Sequence, residues 1–429
     1  MITEIRSTVE LPTQAAKHAF GRGVFRIFTP LIPALMALVI PAIVAWNPEN
    51  LNEAIRDTDS IISTVGNMIA VVISFYAIQR LGKFPGTRRT AYIVPAVSVV
   101  FGTIAVLILF GRVEFSRYQL IGTYVFTCLW FFINIYVDER RHPMRFAVLP
   151  FGRAEMTLGY SQIMTAPLRS PTMPDNANGI IADLRAELAD EWLEFLTEAA
   201  LAGIPVFNAK QVNESLTGTV EIDTLSETPI GSLQPSPIYS RLRPTLDFLG
   251  SLAVLPLLLP IMLFVAILIK LDSPGPALFT QQRMGYRGRP FKIYKFRTMS
   301  HNDNGPAHTT DSDPRITKLG GMLRRYRIDE LPQIINILKG EMSWIGPRPE
   351  ATALNEKYEA EIPFFRYRYI VKPGITGWAQ VQQGHVFDVD DLRLKLHHDL
   401  YFIKYFSPWL DLLVVIRTLQ TVATGFGAR

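Results

Sequence analysis

The 429-residue chain holds a single cysteine, Cys128, which excludes an intrachain disulfide, a cysteine-based zinc cluster and c-type haem attachment. Charge is scarce. Asp, Glu, Lys and Arg make up 19% of residues against 48% hydrophobic, below the roughly 25% of an ordinary soluble enzyme. The deficit rules out disorder as the main state and points to lipid. The excess of base is mild, 43 Lys and Arg against 38 Asp and Glu. No RNA- or DNA-binding motif accompanies it, so nucleic acid is not expected as a partner. Gly152 follows a short strand pattern but lacks the glycine series of a dinucleotide site.

What is present begins with four apolar runs, 28–46, 61–79, 91–110 and 118–137. Each is about 20 residues, enough for a helix to cross a hydrocarbon core of about 30 Å. None carries a charge inside. The first starts too late for a cleaved signal peptide and contains Pro30, Pro33 and Pro41. Cations dominate every second loop. Lys17, Arg22 and Arg26 precede the first run, Arg80, Lys83, Arg88 and Arg89 follow the second, and Arg140, Arg141 and Arg145 follow the fourth. The loop after the first run is acidic, with Glu49, Glu53, Asp57 and Asp59 against Arg56. This bias predicts that the N-terminus and everything beyond residue 138 are cytoplasmic. The spans lack the ionisable pair that a transporter needs, so residues 1–140 read as a membrane anchor.

Residues 145–235 turn soluble and read as a small cytoplasmic α/β module. "FAVLP" is a strand, and 180–201 has helical periodicity through Leu184, Leu188, Leu193 and Leu196. Gly203 stops that helix, "IPVFNA" is the next strand, and the Ser- and Pro-rich stretch 226–238 is a linker. A fifth apolar stretch, 245–269, contains Pro256 and Pro260, which bend or break a helix. Arg241, Arg243 and Lys270 flank it. The residues alone leave two forms open, a hairpin that enters and leaves by one face and a kinked spanning helix.

Two dense cationic segments follow. Residues 283–297 hold six cations and no acid, and 315–327 hold five and no acid. Such density marks a polyanion or an anionic lipid surface. Directly downstream, Leu331, Ile334, Ile335 and Leu338 recur at helical spacing, and Gly340 is a natural stop. Pro332 fits only the first turn, which predicts Asp329 and Glu330 at or just before a helix N-terminus. Two adjacent carboxylates repel, and a divalent cation between them, Mg²⁺ by its habit of binding one or two carboxylates plus phosphates, resolves the repulsion. The alternative is an N-cap aspartate beside a solvated glutamate.

Four ordered blocks carry a resemblance: "SPGPALFTQQRMGYRGRPFKIYKFRTM", "ITKLGGMLRRYRIDELPQIINILKGEMSWIGPRPE", "VKPGITGWAQV" and "DLYFIKYFSPWLDLLVVIRT". Over 241–429 the chain resembles the bacterial sugar transferase domain of polyprenyl-phosphate hexose-1-phosphate transferases, the monotopic phosphoglycosyl transferases. The four spans and the α/β module ahead of it are similar to the large subclass of that family. The resemblance implies four transmembrane helices, a small α/β domain, and a re-entrant helix at 245–269 leading into an α/β-type cytoplasmic catalytic domain at the bacterial inner membrane. It implies transfer of a hexose 1-phosphate from a UDP-hexose to undecaprenyl phosphate with release of UMP, with glucose and galactose as the leading sugars. By the same resemblance Asp329 is the nucleophile and Glu330 holds Mg²⁺. Lys295, Arg297, Arg324 and Arg348 face substrate phosphate. Membrane lipids are expected partners, and the sequence leaves room for a homo-oligomer. A non-catalytic assembly or regulatory protein on the same fold is the competing reading.

Departures from the pattern are local. After "AQV" stands "QQGHVFD", with His385 and no arginine, which puts anion contacts there in question. His397, His398 and Asp399 do not read as a metal set, because neighbouring helical residues do not share one face. Residues 300–314 read as a solvated loop or a lid.

Overall fold

The computed structural model describes residues 30–37, 58–81, 89–111, 117–141, 145–161, 163–174, 177–221, 234–300, 315–384 and 389–424. Most of the first predicted span, most of the 226–238 linker, the 301–314 loop and His385 lie outside them. The chain divides into two compact units, Met1–Thr217 and Gly218–Arg429.

In the first unit, α1 (Thr58–Leu81), α2 (Ile93–Phe110) and α3 (Arg117–Arg141) match the second, third and fourth predicted spans. All three are long and apolar enough to cross a membrane. Residues 31–37 are helical and meet α3 through Gln119, whose amide donates to the Ala37 carbonyl (2.9 Å) and to Thr64 Oγ1 of α1 (2.6 Å). Buried polar side chains of this kind link helices where lipid supplies no hydrophobic drive.

The α/β module is a four-stranded parallel sheet in the order β2-β1-β3-β4, from β1 (Arg145–Val148), β2 (Met164–Pro167), β3 (Gly179–Ala182) and β4 (Val206–Asn208). Helices α4 (Asp190–Leu201) and α5 (Ala209–Thr217) accompany it. The expected helix over 180–201 is corrected here: Ile180, Ile181 and Ala182 form the buried strand β3, and the helix starts only at Asp190. A strand buried on both faces is apolar at every position, which over three residues imitates one turn of a helix. Asp183 ends it by accepting from the Arg153 and Arg185 amides (3.0 and 3.1 Å). Leu184 and Leu193 are exposed, and Phe195, Leu196 and Ala199 supply the buried face of α4.

The second unit opens with α6 (Pro237–Asp272), a 36-residue helix that is the fourth candidate span. It runs without interruption through Pro244, Pro256 and Pro260, so of the expected bend or break there is no break. Each proline removes one donor, and the turns on either side keep helical geometry. Residues between Leu252 and Phe264 are largely exposed, whereas Val265 and Ile269 join Phe296 and Leu323 in a buried cluster. The antiparallel hairpin β5 (Leu278–Met284) and β6 (Pro290–Phe296) follows, with Phe279 opposite Lys295. Helix α7 (Lys318–Arg325), a 3₁₀ turn (Ile328–Gln333) and α8 (Ile334–Leu338) come next. The short strands β7 (Ser343–Ile345) and β8 (Gly374–Thr376) pair in parallel. Helices α9 (Thr352–Glu361), α10 (Trp378–Gln383), α11 (Val389–Lys404) and α12 (Pro408–Thr424) complete the unit. Gly218 belongs here: its carbonyl accepts from Trp378 Nε1 (2.8 Å) and lies 2.9 Å from His398 Nδ1.

Helix α7 packs backbone against backbone at Gly320, where a Cβ would stand 2.0 Å from the Thr298 carbonyl oxygen. That approach brings Arg324 Nε to Thr298 Oγ1 at 2.8 Å. Gly320→Ala is expected to destabilise the second unit by about 1–3 kcal/mol through overpacking. A lower thermal midpoint in detergent, with the exposed Gly159→Ala unchanged, is the check.

Candidate active site

Asp329 and Glu330 sit in the first turn of the 3₁₀ segment that runs directly into α8, so they stand just before the helix, in the range the sequence predicts, but within a 3₁₀ turn. The following α-helix has five residues, and its buried positions are Ile334, Asn336 and Ile337. The chain enters the turn through Arg327 in a left-handed conformation (φ 54°), which is uncommon away from glycine. The turn is fixed from below by Leu331, which packs on the Val265–Phe296 cluster, and by Asn336. The Asn336 amide donates to the Lys292 carbonyl and to Glu341 Oε2 (both 2.7 Å) and accepts from the Tyr294 amide (3.1 Å), tying α8 to β6.

Glu330 is buried, at 4% exposure. Its Oε1 accepts from Lys295 Nζ (2.8 Å) and from Arg348 Nη2 (2.9 Å). Burial by itself would raise the Glu330 pKa, but the charges and hydrogen bonds of Arg348 and Lys295 hold it well below the usual carboxylate range. Reciprocally, Glu330 raises Arg348, while burial lowers Lys295 against the pull of Glu330. Asp329 is half-buried. Burial and the neighbouring Glu330 charge raise its pKa against Lys295, Arg348 and Arg324.

Lys295 and Arg348, both predicted from the sequence, thus converge on the carboxylate pair. Arg324 reaches the same side, close enough to act on Asp329 electrostatically, while its Nε is held by Thr298. Arg297 goes elsewhere. It is buried and donates to the carbonyls of Ser273 (2.6 Å), Pro274 (3.0 Å) and Ile269 (3.3 Å), where α6 ends. Sequence reasoning passed over Arg327, whose Nη1 lies 4.0 Å from Glu330 Oε2. Its signal was membership of the cation run immediately before the acidic pair.

Behind Arg348 lies a second network. Glu350 Oε1 accepts from Lys395 (2.6 Å) and Arg368 (3.4 Å), and Arg368 pairs with Asp399 (2.8 Å) and donates to the Arg348 carbonyl (2.9 Å). Arg283 donates to the Pro349 carbonyl (3.0 Å). The loop that carries Arg348 is therefore held by its own backbone. Asp399 serves Arg368, and no group of three or more His, Cys, Asp or Glu that could hold a metal occurs among the described residues.

Glu330 Oε2 is buried and has no hydrogen-bond partner. A carboxylate oxygen that accepts no hydrogen bond, with Arg327 Nη1 4.0 Å away and a second carboxylate beside it, fits Mg²⁺, which needs only one or two such ligands when phosphate and water complete its shell. The pair is thus poised between four cations, with one oxygen saturated and one open. That arrangement has the charge to receive a diphosphate and a carboxylate beside it that could act as a nucleophile.

Residues 238–425 match the profile of the bacterial sugar transferase family. Along most of its length the chain is 41% identical, over 414 residues, to the UDP-N-acetylgalactosamine-undecaprenyl-phosphate N-acetylgalactosaminephosphotransferase of Aeromonas hydrophila, covering 94% of this chain and 97% of that one. It is 42% identical over 204 residues to the UDP-glucose:undecaprenyl-phosphate glucose-1-phosphate transferase of Caulobacter vibrioides, 47% of this chain and 76% of that protein. The protein of the same name from Escherichia coli is 40% identical over 205 residues, 46% of this chain and 44% of its own length.

Glu330→Gln would leave the half-buried Lys295 and Arg348 without their shared anion. Breaking a buried pair in this way costs about 3–5 kcal/mol. The expected outcome is a lower thermal midpoint of the purified protein in detergent, and a smaller loss when Arg348, the more exposed partner, is changed to Gln.

Proposed function

Since this chain belongs to the bacterial sugar transferase family, we propose that it transfers the sugar 1-phosphate of a UDP-hexose to undecaprenyl phosphate and releases UMP, priming the synthesis of exopolysaccharide, capsule or O-antigen. The observation that carries the reading is the Asp329–Glu330 pair within reach of Lys295, Arg348, Arg324 and Arg327. A regulatory protein that had shed the chemistry would have no use for a buried carboxylate so heavily neutralised.

A carboxylate is a weak nucleophile, and the diphosphate it attacks repels it. Catalysis therefore rests on positioning and charge neutralisation. Glu330 is engaged through Oε1, which fixes Lys295 and Arg348 beside Asp329 before substrate arrives. Lys295, Arg324 and Arg348 hold the equatorial oxygens of the sugar-bearing phosphate, the arginines as forks. An oxygen of Asp329 attacks that phosphorus in line. Its bond to the bridging oxygen breaks, and UMP leaves with that oxygen. The phosphosugar remains on Asp329 as an acyl phosphate. A phosphate oxygen of undecaprenyl phosphate then attacks the same phosphorus, and the Asp329 carboxylate leaves. Glu330 would hold Mg²⁺, which when bound would supply Lewis acidity for the leaving phosphate.

The acceptor's tail requires the site to lie at a bilayer surface. Support for a re-entrant α6 comes from its two ends, which both rest on the same compact unit. Asp247 near its start accepts from Ser343 Oγ (2.7 Å), and Ile269 near its end accepts from Arg297. A spanning helix would put those ends on opposite sides of the membrane. With the loop bias of the first unit, this reading puts the catalytic unit on the cytoplasmic face of the inner membrane. A tag at residue 429 is expected to react in permeabilised cells and stay silent to an impermeant reagent in spheroplasts. Labelling from outside refutes that placement.

Purified protein given Mg²⁺, undecaprenyl phosphate and a panel of labelled UDP-sugars is expected to make labelled lipid and free UMP. The panel begins with the N-acetylgalactosamine and glucose donors named for the relatives. Rapid quenching without acceptor should trap label on the protein, and Asp329→Asn should abolish it. Product without trapped label counts against the covalent step. Because attack needs the Asp329 anion, a raised pKa means that donor turnover is lost as pH falls through a value above the ordinary aspartate range of about 3.9. An acid limb at or below that range contradicts the environment described for Asp329.

A further inference from the structure

Each end of α6 is gripped by a buried arginine, and each grip falls next to one of the two cations on Glu330. At the C-terminal end, Arg297 satisfies the Ile269, Ser273 and Pro274 carbonyls and donates to Ser273 Oγ (3.0 Å). The Ser273 and Pro274 carbonyls lie past the last helical residue, where no intrahelical donor reaches them, while the Ile269 carbonyl also accepts from the Ser273 amide (3.3 Å). Arg297 stands two residues after Lys295. Near the N-terminal end, Arg243 is 6% exposed and lies over the Phe406 ring (4.6 Å). It donates to the Ile345 carbonyl and pairs with Asp411 (3.3 Å) and more distantly with Asp247 (3.9 Å). Ile345 ends β7, and the chain passes directly through Gly346 and Pro347 to Arg348.

We propose that Arg243 and Arg297 are positioning residues that hold the two ends of the apolar helix in register with the segments bearing Arg348 and Lys295. They thereby set where the undecaprenyl phosphate meets the phosphosugar on Asp329. The inference rests on the two-step reading above. The donor step needs only the Glu330 cradle and a soluble nucleotide. The acceptor step needs the lipid phosphate, carried in along α6 and its exposed Leu257, Leu263 and Phe264, to reach the same phosphorus. Register between helix and cradle therefore matters most to the second step. A lysine keeps the charge but cannot satisfy several acceptors at once, so Arg→Lys loosens the grip without leaving an unpaired anion.

The test separates the half-reactions. Exchange of labelled UMP into UDP-sugar without acceptor reads the first, and labelled lipid formed from preloaded enzyme reads the second. For Arg243→Lys and Arg297→Lys we expect exchange within about threefold of wild type and transfer to undecaprenyl phosphate slower by about tenfold or more, as for a displacement of about 1 Å at a reacting centre. The loss should fall on the rate of transfer and leave the donor KM unchanged. Ser273→Ala, which removes one of the Arg297 contacts and keeps the arginine, should show the same split at smaller size. It is the deciding variant if either lysine variant melts early.

Equal loss of both half-reactions in variants that keep the wild-type thermal midpoint overturns the positioning role. So does a rise in donor KM for Arg297→Lys, which would return Arg297 to the phosphate. Wild-type protein that makes lipid product yet shows no exchange defeats the two-step reading itself, and this inference with it.

Discussion

The second unit is organised around one buried anion. A carboxylate as enclosed as Glu330 is unfavourable unless its charge is met at close range, and it is met from two directions. Lys295 comes from the end of the β5–β6 hairpin, and Arg348 comes from the loop after β7. Segments distant in the chain are thereby held on a single oxygen, and Asp329, the next residue along, is carried into the field they create. The usual order of design is inverted here: the cations are not assembled by the substrate but are already in place because Glu330 requires them.

That arrangement explains the outer network. Arg348 can hold Glu330 in place only if its own backbone is rigid, and its loop lacks a helix or a long strand to supply rigidity. Arg368 and Arg283 provide it by taking the Arg348 and Pro349 carbonyls. Arg368 is itself a buried cation, and Glu350 and Asp399 neutralise it. Charge in this unit is scarce at the scale of composition but concentrated where it is used, in alternating shells around the 3₁₀ turn.

The sequence was most readable where a physical demand leaves a repeated mark. Apolar runs of about 20 residues located α1, α2 and α3 within a few positions. The acid-free cation segments and the Asp329–Glu330 pair marked the ligand side of the unit, and Lys295 and Arg348 do meet there. It was least readable where one residue pattern serves two conformations. The helical reading of 180–201 rested on Leu184, Leu188, Leu193 and Leu196 and took in Ile180 to Ala182, because three consecutive apolar positions conflict with no period. The heptad-like spacing from Leu331 to Leu338 suggested one helix, yet the chain forms a 3₁₀ turn followed by a short helix, since Pro332 lies inside the turn and Asn336 faces inward to bind β6. Arg297 was indistinguishable from its neighbours in a run of six cations, because nothing local records that the carbonyls at the end of α6 lie within its reach.

The last constraint comes from joining a soluble donor to an acceptor that cannot leave the membrane. On the two-step reading both reach one phosphorus on Asp329, which is too short to travel between them, so the protein has to bring a lipid-facing element to the cradle. Helix α6 is suited to this because its middle is apolar all round while polar contacts hold its two ends: buried Arg243 with Asp247 and Asp411 at one, the Ser273 turn with buried Arg297 at the other. An apolar middle has no preferred depth on the domain it leaves, and hydrophobic contact alone is non-directional. Directional bonds at the two ends supply what the middle lacks. Cationic side chains therefore do two jobs in this unit: Lys295 and Arg348 neutralise Glu330, while Arg297 binds the carbonyls at the end of α6 and Arg243, within α6, ties its start to Ile345.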